Sequence, residues 1–134
     1  MKRTVHVEFP GRLLIVGFGY IGMGVLPLIL RHIGIPKDRI TIITADERGH
    51  AVAKQEKIAF HISPLRRGNY KKILKTYLQR GDFLLNLSVE VSSVDVITYC
   101  QERGILYLDT VVEPWAGFYE DPSLSLSTCS NYAL

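Results

Sequence analysis

The chain has 134 residues, 47% of them hydrophobic and 22% charged, with a net charge of +3. That is the composition and length of one globular domain, long enough to bury a core and short for a two-domain enzyme. The charge is too small to argue for nucleic acid, and no apolar run approaches the ~20 residues of a membrane span.

The N-terminal MKRTVHVEFPG lacks the apolar stretch of a signal peptide. Cys100 and Cys129 suggest no disulfide framework, and His6, His32, His50 and His61 have no metal-ligand spacing. The expectation is a cytoplasmic protein with reduced thiols and no metal, nucleic-acid or membrane partner.

Arg12–Val16 (RLLIV) is a short apolar run and reads as a buried strand. IGMGVLPLILRH follows, with apolar Ile21, Val25, Leu28 and Ile29, so a largely buried helix is predicted, kinked or tightened at Pro27. RITIITA, rich in β-branched residues, is the second strand. A polar helix is predicted near Glu47–Glu56, and KIAFHI is the third strand. NYKKILKTYLQRG places Ile73, Leu74, Tyr77 and Leu78 on one helical face, with Gly81 ending it. FLLNLS is the fourth strand. In SSVDVITYCQERG, Ser92 caps a helix, Asp95 follows three residues later and Gly104 stops it. ILYLD is the fifth strand.

Strand and helix alternate through short connections, which implies a parallel sheet with right-handed crossovers. The fold class is therefore α/β: a Rossmann-type, doubly wound, three-layer α/β/α domain with about five strands, over residues 1–116. The Ser-rich stretch after it, 117–134, loses the alternation and reads as an extension or linker. The basic residues Arg66, Arg67, Lys71, Lys72 and Lys75 read as a solvated helix face rather than a phosphate-tracking patch.

VGFGYIGMG lies between the first strand and the first helix. Gly17, Gly19 and Gly22 make G-x-G-x-x-G: a tight turn, a close backbone approach to a pyrophosphate, and close helix–sheet packing. Tyr20 and Ile21 open the helix, whose free N–H groups and dipole suit phosphate. Asp46 stands 24 positions beyond Gly22, at the end of the second strand. An acid there can accept the ribose hydroxyls of an adenosine and repel a 2′-phosphate, which favours NAD over NADP. Arg48, two residues on, could instead accommodate that phosphate. The competing readings are a helix-capping acid with turn glycines, or a methyltransferase.

Chemistry in such a sheet collects at the carboxyl ends of the strands. Asn86 and Ser88, in NLSVEVSS, are placed to bond a ribose or a nicotinamide amide, though Asn86 could equally be a strand-end turn residue. Glu90 could face solvent or a substrate. His61 reads as a packing or edge histidine. Glu113, Pro114 and Trp115 leave the fifth strand together. A carboxylate and an indole face both attract an ammonium, which describes an amine pocket. Trp115 as a packing anchor is the equal alternative.

The segments GRLLIVGFGYIGMGVLPLILRHI, RITIITADERG, FLLNLSVEVSSVDVI and LYLDTVVEPWAGFYEDPSLS, with the terminal SNYAL, resemble the N-terminal part of bacterial homospermidine synthases, within the saccharopine dehydrogenase-like oxidoreductases. The glycine loop is common to many families; NLSVEVSS and DTVVEPW are far more specific. The resemblance implies an aminobutyltransferase that joins two putrescines into homospermidine and releases ammonia. Bound NAD oxidises one amine, the resulting imine exchanges with the second amine, and the same cofactor reduces it. By position, Gly17, Gly19, Gly22 and Asp46 would hold NAD, Asn86, Ser88 and Glu90 would line the nicotinamide end, and Glu113 would face the amine as the catalytic and substrate-binding carboxylate. Trp115 matches the motif, either binding the cation or packing beside it.

That family continues for several hundred residues with a substrate and dimerisation domain, and a doubly wound sheet of full order has a sixth strand. The chain is therefore expected to be a fragment, inactive alone, of a homodimeric parent. Two other functions compete: a stand-alone NAD-sensing module, and an amino-acid oxidoreductase of the saccharopine dehydrogenase type.

Overall fold

The computed structural model describes residues 4–134, so residues 1–3 of the expected first domain lie outside the described residues. Five strands form one sheet: β2 (Leu13–Val16), β4 (Ile40–Thr44), β5 (Ala59–Ile62), β6 (Phe83–Asn86) and β7 (Leu106–Asp109). Their order is β5-β4-β2-β6-β7, and every pair is parallel. The chain winds outward from β2 through β4 to β5, then crosses back to β6 and β7. The reversal lies at the carboxyl end of β2, where a doubly wound sheet opens a crevice.

Alternate residues on each strand feed two cores. Leu13, Ile15, Ile40 and Ile42 meet Leu26 and Ile29 of α1 (Tyr20–His32) and Ala53 of α2 (His50–Glu56). Leu14, Val16, Ile43 and Leu84 meet Tyr70 and Leu74 of α3 (Tyr70–Tyr77) and Val96, Tyr99 and Cys100 of α4 (Ser93–Arg103). Two helices thus cover each face, as expected of strands that are apolar on both sides.

The expected fold class, strands and helices are found, with three differences. First, β1 (Val7–Glu8) pairs in parallel with β3 (Ile33–Gly34) in a separate two-stranded sheet. Two-residue strands carry no readable alternation. Second, α3 ends at Tyr77, before Gly81. The buried carboxylate of Asp82 accepts the Gln79 N–H at 2.9 Å and the Arg12 N–H at 2.9 Å, so a turn captures the amide that another helical turn would have used. Third, the separate strand β3 follows directly on α1, which runs from Tyr20 to His32 with Pro27 inside it, as expected.

The caps of α4 are as predicted. Ser92 Oγ accepts the Asp95 N–H at 3.2 Å, and Gly104 ends the helix in the left-handed region, φ +66°. Beyond Gly117 the chain holds two 3-10 turns, at Phe118–Glu120 and Asn131–Ala133, joined by further turns. No helix among the described residues is long and apolar enough to cross a membrane.

Candidate functional site

One cleft of about 510 Å³ opens where the carboxyl ends of β2, β4, β5 and β6 converge. Its floor is the loop between β2 and α1. Gly17 has φ +84°, a conformation that side chains disfavour, and a Cβ there would stand 2.7 Å from Ser88 Cα. Glycine is thus required twice at this position. Its N–H donates to Ile43 O at 2.9 Å, which ties the loop to β4.

Gly19 is the N-cap of α1 and contributes no side-chain cap. A Cβ built on it would enter open space, with Arg48 Nη1 the nearest atom at 3.9 Å. The first helical bond is Met23 N–H to Gly19 O, and the first turn holds no acid. The N–H groups of Tyr20, Ile21 and Gly22 are therefore left for a ligand, with the positive end of the helix dipole behind them. Tyr20 and Ile21 line the cleft with side chains mostly in solvent.

Gly22 makes room for something the sequence did not indicate. A Cβ there would meet Phe18 Cδ2 at 2.6 Å, and one on Gly49 (φ +81°) would meet Phe18 Cδ1 at 2.5 Å. Phe18 is 1% exposed, wedged between α1 and the turn after β4. It locks the glycine loop to the turn carrying Asp46. The available signal was an aromatic inside the glycine loop together with a glycine three residues after the acid.

Asp46 lines the cleft just beyond β4. Its Oδ1 accepts the Arg48 N–H at 2.8 Å, and its Oδ2 lies 3.9 Å from Arg48 Nη2. Both side chains are more than half exposed. Across the cleft stand Ser63 to Arg66 after β5 and Leu87 to Val91 after β6. His61 is an exposed edge residue stacked on Tyr77.

Beyond β6 the outcome is mixed. Ser88 lines the cleft; Asn86 does not. Asn86 is 3% exposed, its Nδ2 donates to Tyr107 Oη at 3.0 Å, and its Oδ1 accepts the Ser88 N–H at 3.1 Å and the Ser88 hydroxyl at 2.5 Å. Its Oδ1 and one Nδ2 N–H are engaged inside the fold, which favours the strand-end turn residue of the two readings, the one that sets Ser88. Tyr107 donates in turn to Asp109 Oδ2 at 2.9 Å. Burial holds the Tyr107 phenol well above its usual pKa; the Asn86 donor opposes this and the Asp109 acceptor reinforces it.

Glu90 is exposed, lines the cleft and has φ +59°, a left-handed backbone on a non-glycine residue. Such a conformation costs about 1–3 kcal/mol on a non-glycine residue. Glu90 also borders the neighbouring hollow with Arg66, Arg67 and Trp115. Glu113 is half-buried and lies outside the cleft lining. Its backbone is clamped: N–H to Ser93 Oγ at 3.0 Å, and Ser93 N–H to its carbonyl at 2.8 Å. Its carboxylate has no hydrogen bond or ion pair among the described residues.

Trp115 had two open roles, and its surroundings support packing. It is 8% exposed, its ring lies 5.2 Å from Tyr70, and its indole N–H donates to Asp95 Oδ2 at 2.6 Å. Of the two readings, the buried and hydrogen-bonded indole favours packing, at the border of the hollow it shares with Glu90.

The chain is similar to known proteins over nearly its whole length. The family described as saccharopine dehydrogenase NADP binding domain matches residues 13–134. Homospermidine synthase of Mesorhizobium japonicum is 41% identical over 97% of this chain, and that of Blastochloris viridis 40% over 97%. The chain spans only 27% and 28% of those relatives. A crystal structure of the Legionella pneumophila homospermidine synthase in complex with NAD superposes with a TM-score of 0.81 at 28% identity, over 96% of this chain and 27% of that one.

Proposed function

The chain belongs to the saccharopine dehydrogenase NADP-binding domain family, and we propose that it is the NAD-binding portion of a homospermidine synthase. One observation carries the cofactor reading: the open space above Gly19, bounded by the uncapped start of α1 and by Asp46. A side chain at Gly19 would fill the cradle that a pyrophosphate needs. The residues present therefore fit a dinucleotide. Gly17, Gly19, Tyr20, Ile21 and Gly22 offer backbone to the phosphates, Asp46 accepts from the adenosine ribose, and Ser88 lines the far side.

When bound, the dinucleotide supplies reversible hydride transfer. The chain's own residues orient it. Gly17 and Ser88 lock the loop under it, and Phe18 keeps Asp46 in register with α1. Putrescine is the proposed substrate of the longer protein, since the relatives are homospermidine synthases. In that protein Glu90 and Glu113 offer carboxylates to the diammonium, and Trp115 backs them from the core. The unpartnered carboxylate on the clamped backbone of Glu113 supports this assignment, as does the strained backbone of Glu90. We keep the domain boundary near residue 116, propose a cytoplasmic location consistent with two free thiols, and propose a homodimeric parent. Alone, the 134 residues are proposed to bind NAD and to turn over no putrescine, since positioning from the remainder of the pocket supplies much of a catalytic rate.

The test is calorimetry of NAD binding to wild type and Gly19→Val. A Cβ at Gly19 meets no atom closer than Arg48 Nη1 at 3.9 Å, so no core contact is disturbed, and circular dichroism checks that the variant is folded. NAD affinity should fall at least tenfold. Equal binding by both proteins would refute the cradle, and homospermidine production by the chain alone would refute the division of labour.

A further inference from the structure

We propose that an uncovered apolar trough between α1 and β7 is the seat of one amphipathic helix, supplied by the part of the longer protein that lies outside these 134 residues. The proposal rests on the homospermidine synthase reading and specifies where the remaining polypeptide docks on this domain.

Both sides of the trough are apolar and open. Leu106 and Leu108 of β7 stand beside Phe83 and Leu85 of β6, on the α1 face of the sheet. Leu85 is buried, yet Leu106 and Leu108 are each more than half exposed. On α1, Ile21, Val25 and Leu28 follow one another at helical spacing along one flank. The right-handed crossover from β2 to β4 turns that flank toward β6 and β7. Ile21 and Leu28 are again more than half exposed. The other face of β7 is closed, because Tyr107 packs there against the α3–α4 core. Strands of a parallel sheet are ordinarily covered on both faces, so β7 lacks one of its two layers. The tail after β7 does not supply it: Trp115 packs on Tyr70, on the α3 face.

The dimensions select the occupant. β7 lies two strands from β2, about 10 Å away at the usual strand spacing. Packed helices lie about 8–10 Å apart. The trough beside α1 therefore has the width of one helix resting on β6 and β7. A second copy of the chain would present the same concave surface across a two-fold axis and leave both troughs unfilled. A single helix with an apolar stripe along one side fills it. Its source is long enough: the chain spans 27% and 28% of its two homospermidine synthase relatives, which leaves most of such a protein to supply the helix. Seated there, the helix reaches Ile21, which also lines the cofactor cleft. The remaining polypeptide is thereby anchored beside the bound dinucleotide.

The experiment grafts this chain in place of the matching 133 residues of the Mesorhizobium japonicum homospermidine synthase. Leu108→Cys, in a Cys129→Ser background, is labelled with a maleimide in the 134-residue chain and in the graft; Cys100 is buried. In the chain alone the introduced thiol should react as an exposed cysteine does, and in the graft about tenfold more slowly or less. Labelling needs no turnover, so an inactive graft still reports, and Leu28→Cys repeats the reading from the other side of the trough. Leu108→Lys should move the melting temperature of the chain alone by no more than about 3 °C. It should leave NAD affinity unchanged there, yet lower putrescine turnover by the graft about tenfold, because the remainder of the pocket is no longer held in position. Leu108→p-benzoylphenylalanine should cross-link, on illumination, to one segment of the remaining polypeptide of the same subunit. Equal labelling in chain and graft overturns the docked helix. So does a cross-link to another copy of the graft, or slow labelling of the chain alone that quickens on dilution, either of which assigns the trough to a second copy. If the graft protects the thiol while the chain alone binds no NAD by calorimetry, the cofactor reading fails and the docked helix stands.

Discussion

The floor of the cleft and the layer that backs its far wall treat their polar groups in opposite ways. On the floor, the first-turn amides of α1 have no cap, and the space over Gly19 is open. Behind that wall, Tyr107 bonds both Asn86 and Asp109, and Asp95 bonds the Trp115 indole. Polar groups left unspent mark where a ligand can be held. Polar groups spent inside the fold mark what holds the site in shape. Substitutions on the wall should therefore cost stability, and those on the floor should cost binding.

The sharpest way to break that contrast is Trp115→Ala. It removes a buried aromatic from the α3–α4 core and leaves the Asp95 carboxylate without its indole donor. Urea unfolding should show a loss of about 3–5 kcal/mol. A variant with wild-type stability would mean the indole is not a core anchor. Next is Tyr107→Phe, which strands Asn86 Nδ2 in a buried site. A loss of about 1–3 kcal/mol is expected, together with weaker NAD binding, because Asn86 sets Ser88 and Ser88 packs on Gly17. Loss of stability with unchanged NAD affinity would cut the wall from the floor.

A pH series sharpens the comparison further. Burial pushes the Cys100 thiol up to about 11 from 9.0, against the opposing effect of Arg103. The folded state therefore keeps its proton where the unfolded state releases it. This contribution is intact below pH ~9 and is lost as pH rises toward ~11, about 1.4 kcal/mol by pH ~10. Tyr107, also raised, acts with the same sign at higher pH. Cys100→Ala should flatten the alkaline fall in melting temperature; an unchanged slope would show that the thiol does not contribute. The smallest effect is expected for Glu113→Gln. Its backbone bonds to Ser93 remain and its carboxylate has no described partner to lose. The melting temperature should stay within about 1 °C, as for an ordinary surface change. In the longer protein the same change should lower putrescine turnover about ten- to a hundredfold, the loss of one charge-assisted contact. A large drop in melting temperature would instead make Glu113 part of the spent wall.

What was legible in the sequence was what neighbours along the chain decide. The five strands of the main sheet and the four helices follow from hydrophobic periodicity. The Ser92 and Gly104 caps follow from contacts three to five residues apart. The glycine loop and Asp46 could be read because a backbone approached by phosphate needs glycine, and an acid at a strand end is visible by spacing. The end of α3 was misplaced because Asp82 bonds both Gln79 and the distant Arg12.

The sequence by itself therefore determined the doubly wound class, the cradle and the list of candidate polar residues. Only the tertiary structure decided which of them are still available. Asn86 meets Tyr107 across 21 residues, and Trp115 meets Asp95 across 20. Those distances are closed by sheet pairing and core packing, not by local propensity. Each donor hydrogen or lone pair serves one partner at a time, so the partners found in the fold limit what an amide or an indole still offers to a ligand.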